Sequence, residues 1–407
     1  VEARFNLGSL LVHEDRHEDA VPLYRGAIDL SPASPLGWNN LGLCLGQMGR
    51  FGESLAALDK AVALDDAYAE AWNNRGNVLN ASGALDEALA SYGGALERDP
   101  ELAGGHQNLG MALLLRGDFA RGFEEYEWRW RAAEAKPRSF ALPWWRGEDL
   151  SGKGLLVWGE QGVGDEIMLG SLLPELVAEA GHVVLECDRR LVGLFQRGLP
   201  QARVVARATP PAPGLKDGLD YQAPLGALCR WRRGSVDDFA GHAMRLQALP
   251  ERVAAARERL AALGPGLKVG IAWRSKTPRW GTVKSAALAH WQPILEQPGV
   301  RFVNLQYGDV AAELAALEVA VWQDPAVDQM ASLEDFAAQI AALDLVISIS
   351  NSTVHMAGAL GVEVWTMLSH IPDWRWQLGR ADTLWYEPMR LFRQRSPGDW
   401  QSVIAEV

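Results

Sequence analysis

The chain has 407 residues, 48% of them apolar and 22% charged. That is a globular composition, too long for one ordinary domain and too apolar for a disordered chain. A net charge of −12 excludes a general binder of nucleic acid or anionic membrane, and no apolar run reaches the roughly 18 residues of a membrane span.

The N-terminal third repeats itself every 34 residues. Leu7-Gly8, Leu41-Gly42, Arg75-Gly76 and Leu109-Gly110 form one column; Ala27, Ala61 and Ala95 another; Tyr24, Tyr92 and Tyr126 a third; Trp38 and Trp72 a fourth. The spacing resembles the tetratricopeptide repeat, in which small residues let two helices approach and an aromatic fills the gap between units. Four units fit 1–34, 35–68, 69–102 and 103–136, predicting a superhelix with a concave face. Because the phase begins at residue 1 and the chain at Val1, a longer array is expected. The concave face reads either as a spacer or dimerisation surface, or as a groove for a polypeptide. Asn39, Asn40, Asn73, Asn74 and Asn77 would line that groove.

Residues 137–152 carry Pro137, Pro143, Trp144, Trp145 and Gly147 without helical periodicity, and read as a connector. From Leu155 onward apolar strands alternate with helices, the pattern of a mainly parallel α/β sheet. The first α/β half is placed at 153–262. Its opening strand, 155–158, runs into a turn with Gly159, Gly162 and Gly164, and Asp165 begins an amphipathic helix. The glycines match neither the dinucleotide fingerprint nor a Walker A loop, so NAD and ATP lose their main support. Strands are also predicted at 182–187 and 202–206.

A hinge, "LGPG" at 263–266, leads to a second α/β half over 263–395, and a C-terminal helix is placed at 396–407. Strand 268–273 ends at Arg274-Ser275-Lys276, with Arg279 and Lys284 following; strand 301–306 ends at Gln306. A helix over 333–343 precedes strand 344–349, which ends in Ser350-Asn351-Ser352-Thr353 and then His355; a last strand covers 362–368. Four small polar residues at a strand-to-helix turn exceed what one helix cap needs, and a helix N-terminus attracts phosphate. With the basic turn after 268–273, the elbow predicts a pocket for a phosphorylated ligand. His355 faces either that cleft or the core.

Together, "GEQGVGDEIMLGSLLPEL", "VGIAWRS", "DLVISISNSTVHMAGALGVEVW" and "DWRWQLGRADTLWYEPMRLFRQ" resemble bacterial proteins that join tetratricopeptide repeats to a heptosyltransferase-like region of the two-Rossmann (GT-B) class. Some of these are similar to flagellin O-glycosyltransferases. The resemblance implies a cytoplasmic, metal-independent, inverting enzyme without a cofactor, whose repeats bind a protein acceptor such as flagellin. It places the nucleotide-sugar site in the second half, on Arg274, Ser275, Lys276, Lys284, Gln306, Ser350, Asn351, Ser352, Thr353 and His355. It makes Asp165 the candidate base, with Glu160 a weaker substitute. Relatives carry Asp-Thr where this chain has Ser350-Asn351, which points to a donor bringing its own carboxylate, such as a CMP-nonulosonic acid. The Trp-rich segment 373–394, with Arg375, Trp376 and Arg393, is expected to close over the cleft, although Arg–Trp packing explains most of the seventeen tryptophans without function. A transferase for glycan or lipid-linked acceptors, and a non-catalytic repeat scaffold, stand as the alternatives.

Overall fold

A computed structural model describes residues 1–132, 136–241, 245–275 and 281–407 of the chain, apart from the Thr282 side chain. Two compact units result: Val1–Pro137 with Asp373–Leu378, and Arg138–Pro372 with Gly379–Val407.

Among its described residues the first unit holds eight α-helices: α1 (Glu2–His13), α2 (His17–Leu30), α3 (Pro35–Gln47), α4 (Phe51–Leu64), α5 (Ala69–Ser82), α6 (Leu85–Arg98), α7 (Ala103–Arg116) and α8 (Phe119–Tyr126). They pair in sequence as four repeats. The columns of the repeat are the inter-helix contacts. Ala27, Ala61 and Ala95 are fully buried, and the ring of Tyr92 lies against Gly76 so closely that a Cβ there would stand 2.5 Å from it. Any larger residue at that column would force the two helices apart.

The last repeat is completed from far along the chain. Residues 373–378 belong to this unit: Trp374 packs edge-on against Phe123, with ring centroids 5.7 Å apart, and the Leu378 N–H donates to the Leu115 carbonyl at 3.2 Å. Six residues of the segment expected over the cleft, 373–378, thus pack within the repeat unit. Trp374 carries an apolar ring that the open end of a repeat array needs to cover, and its partners Phe123 and Tyr126 are some 250 residues away in sequence.

Among its described residues the second unit holds two parallel sheets. The first comprises β1 (Gly154–Trp158), β2 (His182–Cys187), β3 (Arg203–Ala206) and β4 (Tyr221–Pro224) in the order β3-β2-β1-β4. Residues 143–145, expected as connector, extend its edge: the Trp145 N–H donates to Gln222 O, and the Gln222 N–H to Pro143 O. The second comprises β5 (Leu267–Ala272), β6 (Val300–Asn304), β7 (Val321–Trp322), β8 (Leu345–Ile349), β9 (Val364–Leu368) and β10 (Met389–Arg393) in the order β10-β9-β8-β5-β6-β7. Counted within that half the order is 6-5-4-1-2-3, the doubly wound arrangement, whose direction reverses between β5 and β8. Strands buried on both faces need continuous apolar runs, and "LVISI" of β8 and "LLVW" of β1 supply them. The C-terminal helix Trp400–Glu406 joins the second core through Trp400, Val403 and Ile404.

Several tryptophans serve packing. Arg98 lies 4.3 Å over Trp72 and Arg131 3.9 Å over Trp128, while Trp158, Trp273, Trp291 and Trp376 are almost wholly buried.

The cysteines behave as small core residues. Cys44, Cys187 and Cys229 are buried thiols; burial pushes the Cys44 thiol up to about 11 and that of Cys187 to about 12. A thiol whose ionisation is raised by folding contributes stability below its unfolded value near 8.5, and that contribution is lost as pH rises through 11–12. The folded chain is therefore expected to leave Cys44 and Cys187 unlabelled by a thiol reagent at pH 8, with full labelling in denaturant. Rapid labelling of the native protein at either position would show the burial to be wrong.

Candidate functional site

Ligands of open α/β sheets bind beyond the carboxyl ends of the strands where the order reverses. In the second sheet those ends belong to β5 and β8, and both expected turns are there. After β8, Asn351 takes an extended conformation (φ −146°) and caps the helix Ser352–Leu360, the elbow helix; its Oδ1 accepts from the Thr353 N–H at 2.9 Å. Its Nδ2 reaches the Arg274 carbonyl at 3.5 Å, so the elbow and the β5 turn meet. Ser350 and Ser352 are half-buried, whereas Thr353 and His355 are buried.

Two expected ligand contacts have other duties. The Gln306 side chain is 2% exposed, and its Oε1 accepts from the Trp273 and Arg274 N–H groups at 2.9 and 2.8 Å, which fixes the β5 turn. The Arg274 guanidinium pairs with Glu313 at 3.2 Å and bonds the Asp309 carbonyl, so its charge is shared with a carboxylate instead of standing open as a clamp. Ser275 donates its N–H to Ser285 Oγ at 3.0 Å, and Lys284 is half-buried at the end of a short helical turn. Lys276 and Arg279 lie outside the described residues.

The glycine turn of the first half meets this elbow. The helix α9 (Val163–Leu169) begins after Gly162, whose N–H donates to Asp165 Oδ2 at 3.1 Å, so Asp165 closes the first turn of its own helix. One residue earlier, a Cβ on Gly164 would stand 3.0 Å from His355 Cδ2 and 3.2 Å from Ser352 Cα. Asp165 and the elbow are thus brought to the same place. Glu160, 8% exposed, accepts from the Gly226 N–H at 2.8 Å just beyond β4 and serves to join the β1 and β4 ends.

Beneath the glycine turn lies a charged group that sequence reasoning missed. Glu166, 1% exposed, pairs with Arg207 and accepts from the Asp188 N–H at 2.8 Å. Glu186, also buried, pairs with Arg138 at 2.7 Å. Burial raises the Glu186 carboxyl above its ordinary range, against the opposing pull of Arg138; burial and the neighbouring Arg138 lower Arg207. A Cβ on Gly159 would collide with Glu166 and Arg207, so that glycine is required by the ion pair below it. Glutamates in the first turn of α9 and within β2, with arginines at 138 and 207, share no spacing that would have pointed to this.

In the repeat unit the asparagines form struts. Asn74 donates to Asn39 Oδ1 at 2.9 Å and Asn108 to Asn73 Oδ1 at 3.0 Å, each linking one repeat to the next at a spacing of 35 residues. Asn39 also reaches Asn40 at 3.3 Å, and Asn77 accepts from the Tyr92 hydroxyl at 2.9 Å. The expected groove residues are brought together, but Asn39 is 4% exposed and part of their bonding capacity is spent within the array.

The tetratricopeptide-repeat family matches residues 1–35 and 39–103. Protein FlbA of Caulobacter vibrioides is 34% identical over 430 residues, spanning all of this chain and 72% of its own. Among solved structures, MamA is 22% identical over 32% of this chain and 76% of its own, with a TM-score of 0.29. The first repeat domain of Spaghetti (RPAP3), bound to an HSP90 peptide, is 23% identical over 27% of this chain and 87% of its own, with a TM-score of 0.26.

Proposed function

The chain belongs to the Protein FlbA family, and we propose that it is a GT-B glycosyltransferase moving a sugar from a nucleotide-sugar donor to a hydroxyl of a protein held by its repeats. The observation that supports this most is the meeting of three turns. The β5 turn and the hydroxyl-rich elbow share the switch point of a doubly wound sheet, and the Asp165 turn of the other sheet packs onto that elbow through Gly164.

In this reading the donor's phosphate lies at the N-terminus of the elbow helix, bonded by Ser350, Ser352 and backbone N–H groups. The Asp165 carboxylate takes the proton of the acceptor hydroxyl as its oxygen attacks the anomeric carbon. The bond from that carbon to the phosphate oxygen breaks, the nucleotide departs with the electron pair, and configuration inverts. Ser350, Asn351, Ser352 and Thr353 place no carboxylate at the elbow, which suits a donor with a carboxylate of its own, a CMP-nonulosonic acid. Two like charges at one site would repel.

The repeats supply the acceptor's chemistry. Residues 1–137 hold 21 acidic and 12 basic residues against 30 and 27 in the remainder, so most of the chain's net negative charge sits there. A neutral or basic polypeptide, such as a flagellin segment, is the acceptor this charge favours. No helix among the described residues is long and apolar enough to cross a membrane; a cytoplasmic location fits the reading.

Mass spectrometry of proteins from cells with and without the intact gene tests it. A protein that carries an added nonulosonic-acid mass only when the gene is intact is the expected result. Unchanged protein masses together with an altered lipid-linked glycan would replace the protein acceptor by a glycan one.

A further inference from the structure

We propose that His370, at the carboxyl end of β9, is a specificity-determining residue of this site: its bare Nε2 accepts a hydrogen bond from a hydroxyl of the sugar carried by the bound nucleotide. The inference rests on the donor-site reading above.

The sheet sets the place. β8 and β9 run parallel with Ile349 opposite Met367, and neighbouring strands lie about 4.8 Å apart. His370 comes three residues after Met367, as Ser352 comes three after Ile349, so the turn after β9 leaves the same edge of the sheet at the level of the elbow. On the other side β10 extends the ladder, its Gln394 N–H donating to the Leu368 carbonyl at 3.0 Å. Gln394, 3% exposed, then holds the histidine twice. Its Oε1 accepts from the His370 backbone N–H at 3.1 Å, and its carbonyl oxygen lies 3.2 Å from the ring Nδ1. The same Oε1 accepts from the Gly398 N–H at 3.1 Å, so the glutamine is itself fixed. Ser369 closes the turn by donating its hydroxyl to the Ile371 carbonyl at 2.9 Å.

These bonds decide the chemistry of the ring. A carbonyl oxygen can only accept, so in the neutral imidazole the proton sits on Nδ1 and Nε2 is left bare. The ring is half-buried, and among the described residues Nε2 has no hydrogen-bond partner. A bare nitrogen repels an ionised phosphate oxygen and needs a proton donor. Of a ligand whose phosphate lies at the elbow, the phosphate offers no proton at neutral pH, whereas the attached sugar offers hydroxyls. The elbow therefore takes the charge and His370 takes the sugar. A site built to bond a hydroxyl discriminates against a ligand that lacks it.

The test combines nitrogen NMR of the histidine-labelled full-length chain at pH 8 with titration of three nucleotides and their sugar conjugates. These are CMP and CMP-N-acetylneuraminic acid, UDP and UDP-N-acetylglucosamine, and ADP and ADP-glucose. His370→Phe identifies the His370 signal by its loss; His370→Ala replaces it should the phenylalanine variant fail to fold. The wild type is expected to show His370 protonated at Nδ1 and bare at Nε2. The variant should weaken the conjugate of whichever nucleotide the wild type takes by about three- to ten-fold, and the nucleotide itself by less than about twofold. A histidine that only supports the turn would change both alike. A wild-type ring protonated at Nε2, a conjugate bound as tightly by the variant as by the wild type, or equal losses for nucleotide and conjugate overturns the inference. Failure of the wild type to bind any of these ligands instead sinks the donor-site reading, whatever tautomer is seen.

Discussion

Glu166→Ala is expected to destabilise the α/β unit by about 3–5 kcal/mol, the cost of removing one partner of a buried ion pair. Glu166 is 1% exposed and does two things at once. It neutralises Arg207, and its second oxygen accepts from the Asp188 N–H at 2.8 Å. Alanine would leave that backbone donor and a part-buried guanidinium without their acceptor, and would open space under the glycine turn. By contrast, Arg25–Glu53 in the repeats has both side chains about half exposed and belongs to the class worth less than about 1 kcal/mol. Urea unfolding followed by tryptophan fluorescence distinguishes the two, since Trp158 lies in β1 beside the affected turn. A midpoint shift for Glu166→Ala as small as that for Glu53→Ala would show that the Glu166 pair is not buried in solution.

The second large effect concerns chemistry. Asp165→Asn is expected to reduce sugar transfer by about 10²- to 10⁴-fold while leaving folding and nucleotide binding in place. The separation is possible because asparagine keeps a side-chain oxygen for the Gly162 N–H, which donates to Asp165 Oδ2 at 3.1 Å. Loss of the negative charge at the N-terminus of α9 costs no more than about 1 kcal/mol. If transfer, read as mass gained by the acceptor, persists near the wild-type rate in Asp165→Asn, the carboxylate serves the helix and another group takes the proton. Glu160 is then the remaining acidic candidate at these turns, although its bond from the Gly226 N–H commits one oxygen to structure.

Local and periodic information made much of this legible. A column of small residues every 34 positions is a statement about helix contacts, so the repeats could be read directly. Continuous apolar runs marked β1, β2, β5 and β8. The elbow stood out because four polar side chains interrupt such a run.

What escaped depends on distant partners. β4 reads "YQAP", too short and too polar to be recognised without β1 beside it, and β7 is two residues long. β10, "MRLFR", alternates within a Trp-rich stretch that by itself reads as a cover over the cleft. Trp374 looks like a lid residue until Phe123 is known to be its neighbour. Similarly, Arg274 and Gln306 carry the side chains a phosphate site wants, and only the positions of Glu313 and the β5 backbone reveal what already occupies them. Residue type singles out these turns, while each side chain's bonds depend on partners the sequence does not show.

Titration of the full chain with CMP, UDP and ADP, before and after Ser352→Asp, tests the claim that the elbow after β8 is a phosphate site. One of the three nucleotides should bind saturably, and a carboxylate placed at the first residue of the elbow helix should weaken it at least about fivefold, because like charges some 4 Å apart repel by about 1–4 kcal/mol. Binding indifferent to Ser352→Asp, or no binding by any of the three, would contradict it.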